Sequence, residues 1–255
     1  MIKEKFDQYI RTVSFENAID KTTKKYPYNI PSILALEKLK ELDFHPNVTF
    51  VIGENGSGKS TLLEAIAVLY GFNPEGGSKN FNFTTKDTHS GLFEDINLIK
   101  GFRSPRDSFF LRAESFYNVA SNIDALEEEG GAASLLDSYG GKSLHSQSHG
   151  ESFMALALNR FRGKGLYILD EPEAALSPSR QLALLSRIHQ LVEDDSQFII
   201  ATHSPILMAY PHAVIYNIDN GYEETKYTET DHYRVTKEFL MHPDKMLEMI
   251  FKKQV

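Results

Sequence analysis

A glycine-rich segment has the residue types and spacing of a phosphate-binding loop. Residues 53–61 read Gly-Glu-Asn-Gly-Ser-Gly-Lys-Ser-Thr and fit the pattern G-x-x-x-x-G-K-S/T. Such glycines let the backbone curl until successive N–H groups point at phosphate oxygens, and the helix that follows adds its positive end. The pattern predicts a nucleotide site formed by Glu54, Asn55, Gly56, Ser57, Gly58, Lys59, Ser60 and Thr61.

Charged and hydroxyl side chains of this loop have separate chemical tasks. Lys59 would neutralise charge on the β- and γ-phosphates, and the Ser60 hydroxyl would be a ligand of Mg²⁺. ATP and Mg²⁺ are therefore the expected cofactors. The pattern requires a strand before the loop and a helix after it, and Val48–Ile52 and residues 60–70 have those characters.

Polar groups also follow two later apolar runs. Residues 166–169 precede Asp170 and Glu171, and residues 198–201 precede Thr202 and His203. Ligands of open α/β sheets bind at the carboxyl ends of the strands, where the phosphate loop also lies. Asp170 is thus predicted to reach Mg²⁺, Glu171 to polarise the attacking water, and His203 to contact the γ-phosphate or hold that water.

The elements that must position these groups read as an α/β fold. Continuous apolar runs at 48–52, 166–169 and 198–201 are typical of a parallel sheet that is covered on both faces. Residues 213–218 read as a further strand and 9–15 as an edge strand. Helices are predicted at 32–42, 60–70, 151–160, 180–191, 235–240 and 245–251.

Two stretches interrupt this mainly parallel core. Residues 72–110 read as a small antiparallel β-rich insertion, with strands at 81–84, 95–100 and 108–111. Residues 114–150 read as a helical insertion that becomes loop-like around its glycines. The whole chain, 1–255, is predicted to be a single domain.

These motifs, in this order, resemble the ABC-type ATPase domain of the P-loop NTPase superfamily. The chain is similar to stand-alone bacterial predicted ATPases and, more distantly, to the heads of SMC, RecF and OLD-type proteins. The form Asp-Glu-Pro-Glu-x-x-Leu-x-Pro at 170–178 looks like the RecF and OLD side. The resemblance implies an ATP-dependent head-to-tail homodimer with two nucleotides between the subunits.

Such a family carries a signature segment that completes the partner's site. Ser148, His149, Gly150 and Glu151 match the Leu-Ser-Gly-Gly-Gln pattern in part: the serine and second glycine align, while His149 and Glu151 replace glycine and glutamine. The segment would offer a hydroxyl, a glycine N–H and a helix N-terminus to the opposing γ-phosphate. The alternative is that Ser148 only caps the helix that follows.

Other positions depart from the family pattern. Glu114 stands where the family usually has a glutamine that contacts Mg²⁺ and water, so it is the third expected metal ligand. Ser177 stands where an aspartate is usual. Tyr26 or Tyr28 would be the aromatic residue that stacks on adenine, although both also suit a packing role.

Composition limits the functional classes. Acidic residues outnumber basic ones by 35 to 27, for a net charge of −8, which disfavours a nucleic-acid binder that acts through bulk charge. The chain has no cysteine, so disulfides, a thiol nucleophile and a cysteine-ligated zinc are excluded. Apolar stretches are too short to span a membrane and the N-terminus lacks a signal h-region, so a cytoplasmic protein is expected.

Four functions fit these observations. The leading hypothesis is an ATPase whose dimerisation switches an unidentified protein partner. The alternatives are a nucleic-acid-linked head of a DNA-repair or phage-defence complex, the nucleotide-binding subunit of an ABC transporter, and a nucleotide-gated module with negligible hydrolysis. Neither insertion carries a readable recognition motif, so partner and pathway stay open.

Overall fold

The main structural layer is a six-stranded sheet. In the computed structural model, which describes residues 8–15, 25–79, 90–128, 141 and 143–252, the strand order is β5-β6-β7-β3-β8-β9. The strands are β3 Val48–Ile52, β5 Asp107–Arg112, β6 Gly165–Asp170, β7 Gln197–Ala201, β8 Val214–Asn217 and β9 Glu223–Glu224. All neighbours pair in parallel except β8 and β9.

The sheet is covered on both faces, as its continuous apolar strands predict. Every residue of β3, β6 and β7 is buried. Alternate side chains enter opposite cores, because successive residues of a strand point to opposite faces. Phe50, Tyr167 and Phe198 belong to one core, whereas Ile168 and Ile199 belong to the other. The predicted α/β fold with a mainly parallel sheet is therefore confirmed.

Seven α-helices surround the sheets in the described part of the chain. They are α1 Pro31–Leu39, α2 Lys59–Tyr70, α3 Phe116–Glu128, α4 His149–Ala155, α5 Pro178–Glu193, α6 Asp231–Met241 and α7 Pro243–Lys252. Helix α2 ends before Gly71, whose φ of 101° suits a glycine helix end. The last turn predicted for α4, Leu156–Arg160, is π-helical. No described helix is long and apolar enough to cross a membrane.

A second sheet has three antiparallel strands in the order β2-β1-β4. They are β1 Ile10–Phe15, β2 Glu41–Asp43 and β4 Ile96–Lys100. The prediction of an edge strand at 9–15 is wrong, because β1 lies between two partners. The helix predicted at 32–42 is too long, because the observed helix ends at Leu39. Lys40, with a φ of 69°, then turns the chain into strand β2.

The interpretation of 72–110 as one antiparallel insertion is wrong for its last strand. Strand β5 pairs in parallel with β6 over six residue pairs and belongs to the main sheet. Among the described residues of this stretch, only β4 joins the antiparallel sheet. The predicted strand at 81–84 lies outside the described residues. Local sequence cannot distinguish these cases, because the partner of β5 is about sixty residues away along the chain.

A buried glutamine joins the two sheets. Gln197, at the start of β7, accepts hydrogen bonds from the backbone N–H groups of Tyr9 and Ile10 at 3.0 and 2.9 Å. Its amide nitrogen donates to the carbonyl oxygens of Ile10 and His45. The buried amide is thus fully paired, and the antiparallel sheet is held against the amino end of the parallel one.

Candidate active site

The glycine-rich loop connects β3 to α2, as its pattern requires. Gly58 has a φ of 103°, and a Cβ there would lie 2.7 Å from Ser32 Oγ. The same Ser32 hydroxyl donates to the carbonyl oxygen of Ser57. Only glycine fits this position, because the left-handed backbone and the close approach of α1 both exclude a side chain.

Lys59 is buried inside the loop. Its ammonium donates to the carbonyl oxygens of Gly53 and Glu54 at 2.9 and 2.8 Å. Burial lowers the pKa of Lys59, while the negative charges of Glu171 and Asp170 act in the opposite direction. The positive charge of Lys59 therefore lies between two backbone carbonyl oxygens of the loop.

The Ser60 hydroxyl faces the first carboxylate after β6. Ser60 Oγ donates to Asp170 Oδ1 at 3.1 Å, and the Asp170 side chain is only 4% exposed. Burial raises the pKa of Asp170 to about 7, although the Ser60 hydrogen bond and the charge of Arg112 lower it. A desolvated carboxylate beside a hydroxyl is an oxygen donor pair of the kind that Mg²⁺ accepts.

Glu171 and His203 follow neighbouring strands and meet at the sheet edge. Strands β6 and β7 align Asp170 with Ala201, and the Glu171 N–H donates to the Ala201 carbonyl at 2.9 Å. This brings His203 Nε2 to 3.6 Å from Glu171 Oε1. Burial, followed by the charge of Lys59, lowers the pKa of His203. The predicted neighbouring of the two strands is confirmed.

Three side chains at this site are absent from the sequence predictions. Asp219 Oδ2 accepts the backbone N–H of Glu54 at 2.7 Å, and Glu173 Oε1 accepts the backbone N–H of His203 at 2.5 Å. His232 lies in the first turn of α6, and its Nε2 is 3.1 Å from His203 Nδ1. The strand-end rule could have found Asp219, which follows β8, whereas no local pattern marks His232.

A cavity of about 830 Å³ lies beside the phosphate loop. Its walls come from the loop, from the segment after β8 and from α6, and include Gly53, Ser57, Asp219, His232 and Thr236. Lys59 and Ser60 do not line it, whereas Glu54 and Ser57, two of the predicted nucleotide-binding residues, do. Among the described residues, nothing pairs with the buried Ser57 Oγ.

Glu114 is not joined to the other expected metal ligands. Its side chain is 86% exposed and lies 3.5 Å from Arg112 Nη2. The other terminal nitrogen of Arg112, Nη1, contacts the buried Glu64 carboxylate at 2.6 Å. In the described ranges, no hydrogen bond links Glu114 to Ser60 or Asp170. Those ranges also contain no group of three or more His, Asp or Glu side chains that is arranged to hold a metal ion.

The signature segment forms the start of α4. Ser148 is the N-cap residue, and its N–H and hydroxyl both donate to the Glu151 carboxylate, at 3.0 and 2.6 Å. A Cβ on Gly150 would lie 2.6 Å from the Ala175 carbonyl, so the segment packs against the chain that follows Glu171. The His149 side chain lies outside the described part. No hydrogen bond among the described groups joins this segment to its own phosphate loop.

The two tyrosines before the loop have different surroundings. Tyr26 is 58% exposed, and its hydroxyl lies 3.0 Å from Thr61 Oγ1 at the start of α2. The Tyr28 hydroxyl donates to Asp95. Burial, followed by this hydrogen bond, raises the pKa of Tyr28 above its usual value. An exposed ring next to the loop suits stacking, whereas Tyr28 is engaged in linking two elements.

Comparisons with known proteins show that the chain is similar to ATP-binding proteins. Two family profiles match the chain: "AAA domain" over residues 29–136 and "AAA domain, putative AbiEii toxin, Type IV TA system" over residues 149–209. The chain is similar to a "Putative ABC transporter ATP-binding protein" of Methanothermobacter marburgensis. The two are 30% identical over 203 residues, which cover 72% of this chain and 71% of that protein.

Two further similarities are a short sequence match and a match to a solved structure. The chain is 39% identical over 66 residues to the DNA replication and repair protein RecF of Colwellia psychrerythraea, which covers 26% of this chain and 16% of that protein. Among solved structures, it is similar to the SMC head domain from Thermotoga maritima, with a TM-score of 0.40 and 16% identity. That alignment covers 82% of this chain and 94% of the head domain.

Proposed function

Because the chain belongs to the family of ABC-type ATP-binding proteins, we propose that it is an Mg²⁺-dependent ATPase that dimerises on ATP and thereby switches a protein partner. ATP binding and hydrolysis follow from family membership. The observation that carries the finer proposal is the meeting of Lys59, Asp170, Glu171 and His203 at the carboxyl ends of β3, β6 and β7.

Lys59 and the loop backbone would bind the phosphates. In the structure, the ammonium of Lys59 donates to two carbonyl oxygens of its own loop. Phosphate oxygens carry more negative charge than these carbonyls, so we expect the ammonium to exchange its partners when ATP binds. Backbone N–H groups of the loop would add further donors, and Tyr26, whose hydroxyl lies 3.0 Å from Thr61 Oγ1, has an exposed ring that would stack on adenine.

Ser60 and Asp170 would hold Mg²⁺. The buried carboxylate of Asp170 is costly to ionise, and a divalent cation at this position would compensate that cost. When bound, Mg²⁺ neutralises charge on the phosphate oxygens. Glu114, whose exposed carboxylate lies 3.5 Å from Arg112 Nη2, would be the third ligand.

Glu171 and His203 would act on the water that attacks the γ-phosphate. Glu171 is partly exposed, so its carboxylate has access to a water molecule and can accept its proton. His203 Nε2 lies next to that carboxylate and can donate to a phosphate oxygen. Hydrolysis of this kind needs mainly positioning and charge stabilisation, which these groups supply.

The segment of Ser148, His149, Gly150 and Glu151 would complete the site of a second copy. Helix α4 offers its N-terminal N–H groups to the opposing γ-phosphate. Glu151 would bring a negative charge close to that phosphate, but Arg180 lies 3.4 Å from its carboxylate and offsets the charge. This geometry supports a head-to-tail homodimer.

Steady-state ATP hydrolysis by the wild type, Lys59→Ala and Glu171→Gln tests the proposal. Lys59→Ala should lose nucleotide binding, and Glu171→Gln should keep binding but lower kcat by roughly 100-fold or more, as removal of a general base does. Omission of Mg²⁺ should abolish the wild-type rate. If the wild type binds ATP but hydrolyses it no faster than Glu171→Gln, the protein is a nucleotide-gated module and not an enzyme.

A second candidate function is the nucleotide-binding subunit of an ABC transporter. The similarity to the M. marburgensis protein favours it, because that protein's name describes such a component. Co-purification with a membrane protein would support this function.

A nucleic-acid role has the short RecF similarity in its favour and the net charge of −8 against it. An ATP-dependent gel shift that weakens with salt would support that role.

A further inference from the structure

Two histidine rings are in direct contact next to the predicted catalytic acid. His203 Nδ1 lies 3.1 Å from His232 Nε2, and the ring centroids are 5.3 Å apart. His203 Nε2 lies 3.6 Å from Glu171 Oε1. The described residues provide no hydrogen-bond partner for His203 Nε2 or His232 Nδ1, although both atoms are buried. The three side chains therefore form a chain, Glu171–His203–His232.

The contact between the rings requires one donor and one acceptor. Burial and the nearby positive charge of Lys59 lower the pKa of both His203 and His232, which favours the neutral form of both rings. A neutral imidazole carries a proton on one nitrogen only. The direction of the hydrogen bond therefore decides which nitrogen of His203 carries the proton.

The carboxylate of Glu171, 3.6 Å from His203 Nε2, favours one direction. A lone pair on His203 Nε2 would face a negative charge at 3.6 Å, whereas an N–H at the same atom is attracted to it. The proton of His203 is thus placed on Nε2, and Nδ1 is left as an acceptor. His232 Nε2 must then be the donor.

We propose that His232 is a positioning residue for ATP hydrolysis, whose Nε2–H holds His203 in the tautomer that presents an N–H to the γ-phosphate. The proposal rests on the ATPase function proposed above. In other sites too, a group that hydrogen-bonds one nitrogen of an imidazole fixes the tautomer and orientation of that ring. Here His232 would be that group and His203 the ring.

The position of His232 suits this role. It lies in the first turn of α6, whose N-cap Thr230 accepts the N–H of Tyr233 at 3.3 Å. None of the residues of α6 is buried, and His232, on its inner side, lines the cavity shared with the phosphate loop. A side chain on an otherwise exposed helix thus contacts the predicted active site.

Kinetics of three variants in the full chain test the proposal. His232→Leu removes the donor, His232→Gln keeps an N–H donor of similar reach, and His242→Leu makes the same change at the exposed end of α6. We expect His232→Leu to lower kcat about tenfold with little change in KM for ATP, as loss of an outer-shell partner does. His232→Gln should recover most of the rate, and His242→Leu should behave as wild type.

Nitrogen NMR of ¹⁵N-histidine-labelled protein gives a readout that does not depend on hydrolysis. In the wild type, the His203 proton should be found on Nε2, and the Nδ1 resonance should shift in His232→Leu but not in His242→Leu. If the proton is on Nδ1, or if Nδ1 is unaffected by His232→Leu, the proposal is wrong whatever the rate. If the NMR result holds but the wild type hydrolyses no ATP, the proposed enzyme function fails and the role in hydrolysis falls with it.

Discussion

Among individual residues, Asp170 is an acidic side chain whose burial disfavours its ionised form. It is an acid that is almost fully buried at the end of β6, and Ser60 donates its hydrogen bond from α2. Burial raises its pKa to about 7, so it holds a proton more tightly in the folded than in the unfolded state. A site that binds a cation can afford this cost, because the cation stabilises the ionised form.

This pKa predicts how stability depends on pH when no metal is bound. Between its unfolded value of 3.8 and its folded value of about 7, Asp170 binds more protons in the native state, so its contribution to stability is lost as pH rises. Relative to Asp170→Asn, the wild-type free energy of unfolding should fall by about 1 kcal/mol per pH unit in this range. Urea unfolding at pH 5 to 7 measures the difference.

The variant also provides the control for that measurement. Glu173, whose pKa is raised mainly by burial, is present in both proteins, so its contribution cancels in the difference. Addition of Mg²⁺ and ATP should remove most of the wild-type slope, because a bound cation keeps Asp170 ionised. Parallel pH profiles of wild type and Asp170→Asn would contradict the buried, protonated state.

At the scale of elements, Gln197 is one of the side chains that join the two sheets. Its amide pairs with backbone groups of Tyr9, Ile10 and His45, which belong to or precede strands of different sheets. Antiparallel strand β1 can therefore lie against the amino end of the parallel sheet without leaving polar groups unpaired.

Gln197→Leu should destabilise the fold without touching the site. The change removes the acceptor of two backbone N–H groups in a buried place, at a cost of roughly 2–4 kcal/mol. Thermal or urea unfolding measures the loss. Gln190→Leu is the matched control, since Gln190 lies on the exposed side of α5 and bonds only Arg187 among the pairs described, so it should stay within about 0.5 kcal/mol of wild type.

For the whole molecule, the proposed working unit is a pair of chains. The net charge of −8 describes one chain, whereas a dimer would bring the signature helix α4 of one copy opposite the phosphate loop of the other. Within one chain, α4 packs against Ala175 and Arg180 and makes no described hydrogen bond to its own loop. In the proposed dimer, the chemical task of this segment lies in the site of the other subunit.

Trapping the dimer tests this arrangement. Glu171→Gln should elute as a dimer in size-exclusion chromatography with ATP and Mg²⁺, and as a monomer without nucleotide, because slow hydrolysis preserves the bound state. The double variant Lys59→Ala/Glu171→Gln, which should not bind ATP, is expected to stay monomeric. A Glu171→Gln protein that is saturated with ATP yet still monomeric would rule out the sandwich.

Local patterns in the sequence determined the chemistry of this protein. The loop at 53–61, the acids after β6 and the His203 position are readable because each depends on a few consecutive residues and a preceding apolar strand. The same is true of the parallel sheet, since strands that are buried on both faces must be continuously apolar.

Only the tertiary structure decided which distant segments meet. The central place of β1, the pairing of β5 with β6, and the contacts of Asp219 and His232 all join residues far apart in the chain. Strand pairing is set by packing with remote partners, and a histidine on an exposed helix looks like any surface residue until the helix is placed. The proposed phosphate site is thus encoded locally, whereas the groups proposed to orient it are brought there by the fold.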